Sequence, residues 1–215
     1  MSVRTVGRVA VAVAVATLLG ALPGCSLERS GYQFLRNPDT GTYFKLPIDW
    51  TVHGVADHNE GIEKAGMSVE EARARVPFIT TFFATPAEAG ALGLDIERDT
   101  PAGLVSVKYL TLAERDALDF ANLREQLLPY STWVESGVAK QQKREDLEQE
   151  GGFRGQRTVF TLTDDKGVYM VDQTAFVDRS TTRVYLLIIG CKAECYQAHE
   201  SEITEVARSL TLKET

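Results

Sequence analysis

The chain has 215 residues, 30 of them acidic against 23 basic, a formal net charge of −7 and a hydrophobic share of 44%. That length suits one domain with an extension, and the hydrophobic share is enough for a full core. The acidic balance argues against general nucleic-acid binding, which depends on neutralising phosphates, and against electrostatic attraction of the folded body to an anionic bilayer.

The first segment reads as an export signal. Arg4 and Arg8 give a positive start, residues 9–22 are almost wholly small or apolar, and the run breaks at Pro23-Gly24. The run is shorter than the roughly 20 residues a bilayer-spanning helix needs, so a retained anchor helix is the weaker reading. No Arg-Arg pair occurs there, which favours the general secretory route. Leu22-Pro23-Gly24-Cys25 resembles a bacterial lipobox, with Cys25 as the lipidated residue and new N-terminus; Pro23 departs from the small residue usual at its position. A thioether to a diacylglyceryl group needs a sulfur nucleophile, and serine cannot replace it. Two or more acyl chains anchor stably where one is marginal, each buried methylene contributing about 0.8 kcal/mol. The competing reading is an ordinary secreted protein with a cysteine near its cleavage point. The resulting organisation is a signal over 1–24, a lipidated tether over 25–37 and a domain over 38–215. Removing the signal takes away Arg4 and Arg8 and no acid, so the net −7 becomes −9 over the 191 residues that follow.

Within the tether, Tyr32, Phe34 and Leu35 suggest that its end already packs. Tyr43–Leu46 and Trp50–His53 read as extended segments around a Pro47-Ile48-Asp49 turn. Residues 54–66 are polar and weakly patterned. Ser68 and Glu71 form a capping box that opens a short helix ending before Pro77. Phe78–Phe83 is β-branched and aromatic, and Leu104–Leu110 alternates; both predict strands. Residues 86–103 between them, rich in Ala, Gly, Pro and acid, predict an exposed loop.

Thr111 and Glu114 form a second capping box, and Ala117, Phe120, Ala121, Leu127 and Leu128 follow at helical spacing up to Pro129, predicting one helix. The charged strip Lys140–Glu150 reads as an edge strand. Gly151–Gly155 predicts a turn, and Asp164-Asp165-Lys166-Gly167 the tip of a hairpin between Gln156–Thr163 and Val168–Val177. Arg183–Ile189 is so continuously apolar that both its faces must be covered, which marks a central strand. Ile203, Val206, Ala207 and Leu210 define the buried stripe of a C-terminal helix.

With Cys25 acylated, Cys191 and Cys195 are left, an even number in an oxidising setting, and a mutual disulfide at a strand-to-helix corner is expected. Free thiols or a redox or metal role are the alternatives. Zinc would need two further ligands, and neither a second cysteine pair nor paired histidines exist to supply them.

The chain resembles the superfamily that contains PsbP of photosystem II and a Ran-binding nuclear-import factor, shared by many small actinobacterial lipoproteins. The residues that carry this are Tyr43-Phe44-Lys45-Leu46-Pro47 with Trp50, the Gly152-Phe153-Arg154-Gly155 lead into a long hairpin, and the tail from Cys191 and Cys195-Tyr196 to Ser209-Leu210-Thr211-Leu212. Together they span roughly residues 32–213. The resemblance implies an α+β fold, an antiparallel sheet of about six to seven strands flanked by helices on both faces, in proteins that mostly bind partners without catalysis. Residues 54–76 and 86–103 look longer than the family's minimal connections. No functional residue carries over by motif.

Catalytic signatures are sparse. His53, His58 and His199 show no metal-protease or triad spacing, and Ser131, Ser136 and Ser180 lack a Gly-x-Ser-x-Gly context. Asp164 and Asp165 are explained by the hairpin tip, and Glu70 with Glu71 by a solvated helix face. No metal or other cofactor is expected. The leading expectation is therefore a non-enzymatic lipoprotein held to the cell membrane outside the cytoplasm, with an envelope protein as partner and no nucleic acid. A carrier of a small apolar ligand, held around Trp50, Phe82, Phe83 and Trp133, is the second reading, and thiol exchange by Cys191 and Cys195 the third.

Overall fold

A computed structural model describes residues 31–64, 66, 68–86, 95–120 and 122–215, and within them Gly31–Thr215 forms one compact unit. The signal, Cys25 and the first part of the tether lie outside the described residues, as do residues 87–94 of the long loop and Ala121.

The strands are β1 (Tyr32–Asn37), β2 (Thr42–Pro47), β3 (Thr51–His53), β4 (Phe78–Phe83), β5 (Ala102–Tyr109), β6 (Ala139–Gln149), β7 (Phe153–Thr163), β8 (Val168–Val177), β9 (Arg183–Lys192) and β10 (Thr211–Leu212). The helices are α1 (Asn59–Lys64), α2 (Val69–Arg75), α3 (Leu112–Ala117), α4 (Tyr130–Glu135) and α5 (Ala193–Ser209). Seven strands pair antiparallel in the order β3-β4-β5-β9-β8-β7-β6, and β1-β2-β10 make a smaller sheet. This is the expected α+β architecture with one addition, the separate three-stranded sheet.

Strand β9 lies between β5 and β8, and Val184 to Cys191 is buried throughout. Tyr185, Leu187, Ile189 and Cys191 join one core with Phe44 and Leu46 of β2 and with Tyr196, Ile203, Val206 and Ala207 of α5. The alternate residues Val184, Leu186 and Ile188 join the opposite clusters, where Leu110, Leu123 and Tyr130 pack. One face is thus covered by α5 and the small sheet, the other by the segment from Leu110 to α4. The hairpin lead-in needs a glycine at 155, because a side-chain carbon there would sit 2.3 Å from the Phe176 ring.

Three sequence expectations change. Residues 32–37, assigned to the tether, form β1, which pairs with β2 from Tyr32↔Pro47 to Asn37↔Thr42. Residues 54–66 are not patternless coil: a 3-10 turn over Val55–His58 leads into α1, opened by Gly54 N–H donating to Asp57 Oδ2 (2.7 Å). The single helix expected from Thr111 to Pro129 stops at Ala117. Asp119 and Asn122 exchange side-chain-to-backbone hydrogen bonds (3.1 and 2.7 Å), and Asn122 Nδ2 donates to the Ala117 carbonyl (2.7 Å). Short polar side chains of this kind compete with helical backbone pairing. The chain therefore turns, a 3-10 segment over Leu123–Glu125 buries Leu123, and α4 follows.

Edge strand β6 carries the charged strip, with a register shift between Gln141 and Lys143. Charge and irregularity on an edge discourage pairing with another sheet.

Glu114 joins three elements. It accepts from Thr111 N–H (2.8 Å) to cap α3, and meets Lys108 Nζ of β5 (2.8 Å) and Arg75 Nη2 of α2 (2.8 Å). The Lys108 hydrogen bond, then the Thr111 amide, hold its pKa at about 2 against an ordinary 4.5. A depressed carboxylate stabilises the fold above its unfolded pKa, and that contribution is lost as pH falls through the folded one. Stability should therefore decline between pH 4.5 and about 2. In urea melts across that range, Glu114→Gln should show a shallower decline than the wild type.

Candidate binding cleft

Of the residues singled out in the sequence, Cys191 and Cys195 come together, their sulfurs 2.07 Å apart in a disulfide that joins the end of β9 to the first turn of α5. Both are buried within the α5-side core. The loop they close is short, so its effect on the unfolded chain is small and its role is to hold the corner. Buried sulfurs in apolar surroundings are poor centres for thiol exchange.

His53 and His58 sit together at the β3 end. His58 is buried with Nε2 3.4 Å from Thr81 Oγ1, and burial lowers its pKa. His199 is on α5, half exposed, 3.2 Å from Glu202. Ser131 donates to Glu125 Oε1 (2.6 Å) as part of the 3-10 turn's packing. Among the described residues, no group of three or more His, Cys, Asp or Glu is placed to hold a metal ion.

The aromatic residues of the carrier reading divide between the faces. Trp50 stacks on Phe82 at 5.8 Å in the α5-side core, whereas Trp133 packs with Tyr130 and Phe160 on the other side. The sheet itself separates them, so they line no common pocket.

A polar network crosses the α5 face instead. Asp172 of β8 takes Arg157 Nε at 2.9 Å and Nη2 at 2.5 Å, and Tyr196 Oη donates to it at 3.2 Å; Arg157 Nη2 also reaches Thr204 Oγ1 at 3.2 Å. The Arg157 and Asp172 side chains are 4% and 0% exposed, so their charges are compensated chiefly by each other and by these hydroxyls. Burial works most strongly against the guanidinium charge, but the hydrogen bond and charge of Asp172, with Tyr196 and Glu145, together outweigh it and the Arg157 pKa is raised. Burial, with the Asp172 charge, pushes the Tyr196 phenol up, so it stays a donor.

An open cleft of about 550 Å³ lies at one end of the large sheet. Its floor is Phe153 and Tyr185, packed edge to face at 5.7 Å. The β8–β9 loop forms one wall and residues 213–215 another. Asp178 organises the loop, accepting from Thr182 N–H (2.6 Å), Arg183 N–H (3.0 Å) and the Ser180 and Thr182 hydroxyls. Burial raises the Asp178 pKa, yet these donors win and it is lowered overall. Thr181 at the loop's apex has φ 56°, a left-handed conformation uncommon for a β-branched residue. Arg183 donates to Thr215 Oγ1 (2.7 Å), Lys213 lies over the Tyr43 ring, and Arg179 is exposed at the rim. The cleft thus offers an aromatic floor and a cationic rim set beside Asp178 and Glu214. These are features for holding a surface.

Sequence reasoning found Phe153 and the C-terminal tail as motif residues but not that they converge. The loop residues Arg179 to Arg183 carried no periodic signal. Arg157 and Asp172 fall inside the expected hairpin strands Gln156–Thr163 and Val168–Val177, but nothing in the sequence pattern singles them out.

Sheet order, helix coverage and the strand-to-α5 corner define an α+β domain with a PsbP-like fold. No protein-family model matches the chain, and no curated protein matches it in sequence. Among solved structures it is similar to cyanobacterial PsbP (CyanoP) of Synechocystis sp. PCC 6803, with a TM-score of 0.52 and 14% identity over 91% of this chain and 99% of that one. It is also similar to LpqN of Mycobacterium tuberculosis, described as involved in cell envelope biogenesis (TM-score 0.46, 12% identity, 85% of this chain and 91% of that one). The Saccharomyces cerevisiae Ran-binding protein Mog1p matches with a TM-score of 0.47 and 7% identity, over 84% of this chain and 95% of that one. At such identities the likeness is one of fold.

Two substitutions test this geometry. Asp172→Ala leaves the Arg157 guanidinium buried without its carboxylate and should lower unfolding stability by about 3–5 kcal/mol in urea titration. Thr181→Gly relieves the left-handed backbone and should leave stability unchanged or raise it by up to about 1 kcal/mol; a clear loss would contradict the loop conformation.

Proposed function

We propose that this protein is a lipoprotein of the bacterial cell envelope whose domain binds an envelope protein through the cleft floored by Phe153 and Tyr185, without catalysis. The observation that carries the reading is the order of Arg4 and Arg8, the apolar run and Leu22-Pro23-Gly24-Cys25. On this reading residues 1–24 are removed and the lipid on Cys25 supplies the membrane attachment. Residues 25–31 tether a body that begins at β1. Among the described residues, no helix is long and apolar enough to cross a membrane. A PsbP-like fold and a disulfide at the β9–α5 corner are both compatible with that location.

Metabolic labelling with a fatty acid, followed by mass spectrometry of the mature N-terminus, tests the anchor. The wild type is expected to begin at an acylated Cys25 and to enter the detergent phase, whereas Cys25→Ser should be unlabelled. A mature wild-type chain without lipid, or one that keeps residues 1–24, would overturn the anchor. The binding role is tested separately by co-purification in mild detergent. The Arg179→Glu, Lys213→Glu double variant, with an unchanged unfolding midpoint, should lose a partner recovered reproducibly with the wild type. Equal recovery would remove the cleft from this reading.

A further inference from the structure

We propose that the outer face of the β1–β2 pair lies on the lipid bilayer, with Phe34 and Ile48 inserted at headgroup depth; this rests on the reading of Cys25 as the lipid anchor.

Alternation along β1 divides its side chains between two faces. Leu35 packs on the α5-side core and Gln33 Nε2 donates to the Pro47 and Trp50 carbonyls (3.0 and 2.7 Å), so that face is inward. Tyr32, Phe34 and Arg36 take the other face, with Lys45 opposite Phe34 and Tyr43 opposite Arg36. Phe34 is 73% exposed. Ile48, 61% exposed, follows β2, and its N–H donates to the Gly31 carbonyl (2.9 Å). Two exposed apolar side chains thus flank the point at which the chain from Cys25 enters the domain. β1 is also an edge strand. The edge at β6 is guarded by charge and a register shift, whereas β1 presents an aromatic ring, and apolar edges of this kind are ordinarily covered.

The length of chain before β1 selects the cover. Gly31 follows Cys25 closely in sequence, and a fully extended segment of that length reaches only about 20 Å. Phe34 adds about 10 Å along the strand. A bilayer that holds Cys25 is therefore within reach of Phe34 and Ile48, at an effective concentration on the order of millimolar for so short a linker. A contact too weak to bind a free protein is then populated. Aromatic rings beside Lys and Arg are the side chains that settle at the headgroup level; here Lys45 and Lys213 lie over the Tyr32 and Tyr43 rings at 4.1 and 5.1 Å. Net charge does not drive the docking. Arg36, Lys45, Arg208 and Lys213 are offset by Glu202 and Glu205 of α5 and by Asp39 and Asp49 in the turns that flank β2. Apolar insertion must carry it.

The lipidated full-length chain in phosphatidylcholine vesicles, with or without bromine on the acyl chains, tests this by tryptophan quenching read against the wild-type emission of Trp50 and Trp133. The reporter in Phe34→Trp should be blue-shifted and lose about half its emission to brominated lipid, as a ring roughly 5–10 Å deep would. That loss should persist at about 0.5 M salt, which screens exposed charges. The reporter in Val168→Trp should stay unquenched, because Val168 lies beside Ala193–Cys195 at the start of α5, whereas Lys45 meets Ser209 at its end. Ile48→Glu added to Phe34→Trp should reduce the quenching about threefold or more, since a carboxylate resists entry into the bilayer. With Cys25 shown by mass spectrometry to be acylated, equal quenching of both reporters, or none at position 34, overturns the docking and leaves the anchor standing. A reporter at position 34 that is blue-shifted but unquenched assigns the face to a second copy of the chain, and likewise overturns the docking alone. A mature chain without lipid overturns anchor and docking together.

Discussion

Strand β9 has no solvent face, and that constraint organises the domain. Its apolar residues run without alternation from Val184 to Ile189, so neither side of the sheet can be left to water there. Burying a large aliphatic or aromatic side chain is worth about 1.5–3 kcal/mol. Coverage on both faces is therefore the dominant favourable term. One cover is the amphipathic α5 with β2 and β10; the other is assembled from Leu110, Leu118 and Phe120 on either side of α3, the Leu123–Glu125 turn and α4. Towards β6 the sheet leaves this double cover, and the sequence changes to a charged strand.

Helix α5 is fixed along its whole length. At its start the Cys191–Cys195 bridge sets the angle at which it leaves β9. Beside the bridge Tyr196 reaches Asp172, and two turns further on Thr204 reaches Arg157. At its end Ser209 Oγ accepts from Lys45 N–H (3.0 Å), while Gln149 Nε2 donates to the Leu210 carbonyl (2.8 Å). Apolar contact favours burial of the helix stripe without specifying rotation or slide, because hydrophobic attraction is non-directional. The polar contacts are directional, and each occupies a different part of the helix. The buried ion pair is a weak source of net stability, since desolvation opposes it. What it contributes is position.

Periodicity made the sheet legible and competition hid the rest. Phe78–Phe83, β7 and β8 with their Asp164–Gly167 tip, β9 and α5 are long or strongly patterned, so the burial that forms them is written in one contiguous stretch. The segment after Thr111 carried an equally good helical pattern. It breaks because Asp119 and Asn122 satisfy backbone groups locally, a preference that apolar spacing does not report. β1 was read as a tether because its exposed Phe34 and Arg36 obscured the alternation, and its partner is ten or so residues away in β2. The cleft was illegible for a different reason. Its lining comes from three stretches between residues 151 and 153, 178 and 185, and 213 and 215, and only the assembled sheet makes them neighbours.

That separation bears on how such a domain could recognise a partner. The cleft is built from strand ends and a loop, so its rim residues Arg179 and Lys213 can change without disturbing the packing around β9. Its floor cannot, because Phe153 and Tyr185 also belong to the α5-side core. Thr181 shows the same division, a conformation costing about 1–2 kcal/mol held in place by the bonds Asp178 makes on either side of it. Hydrogen bonds on both sides of a strained apex preorganise the loop in this one shape. Affinity at such a surface then depends little on ordering the loop at the moment of contact, since a preorganised loop has no large entropy to lose.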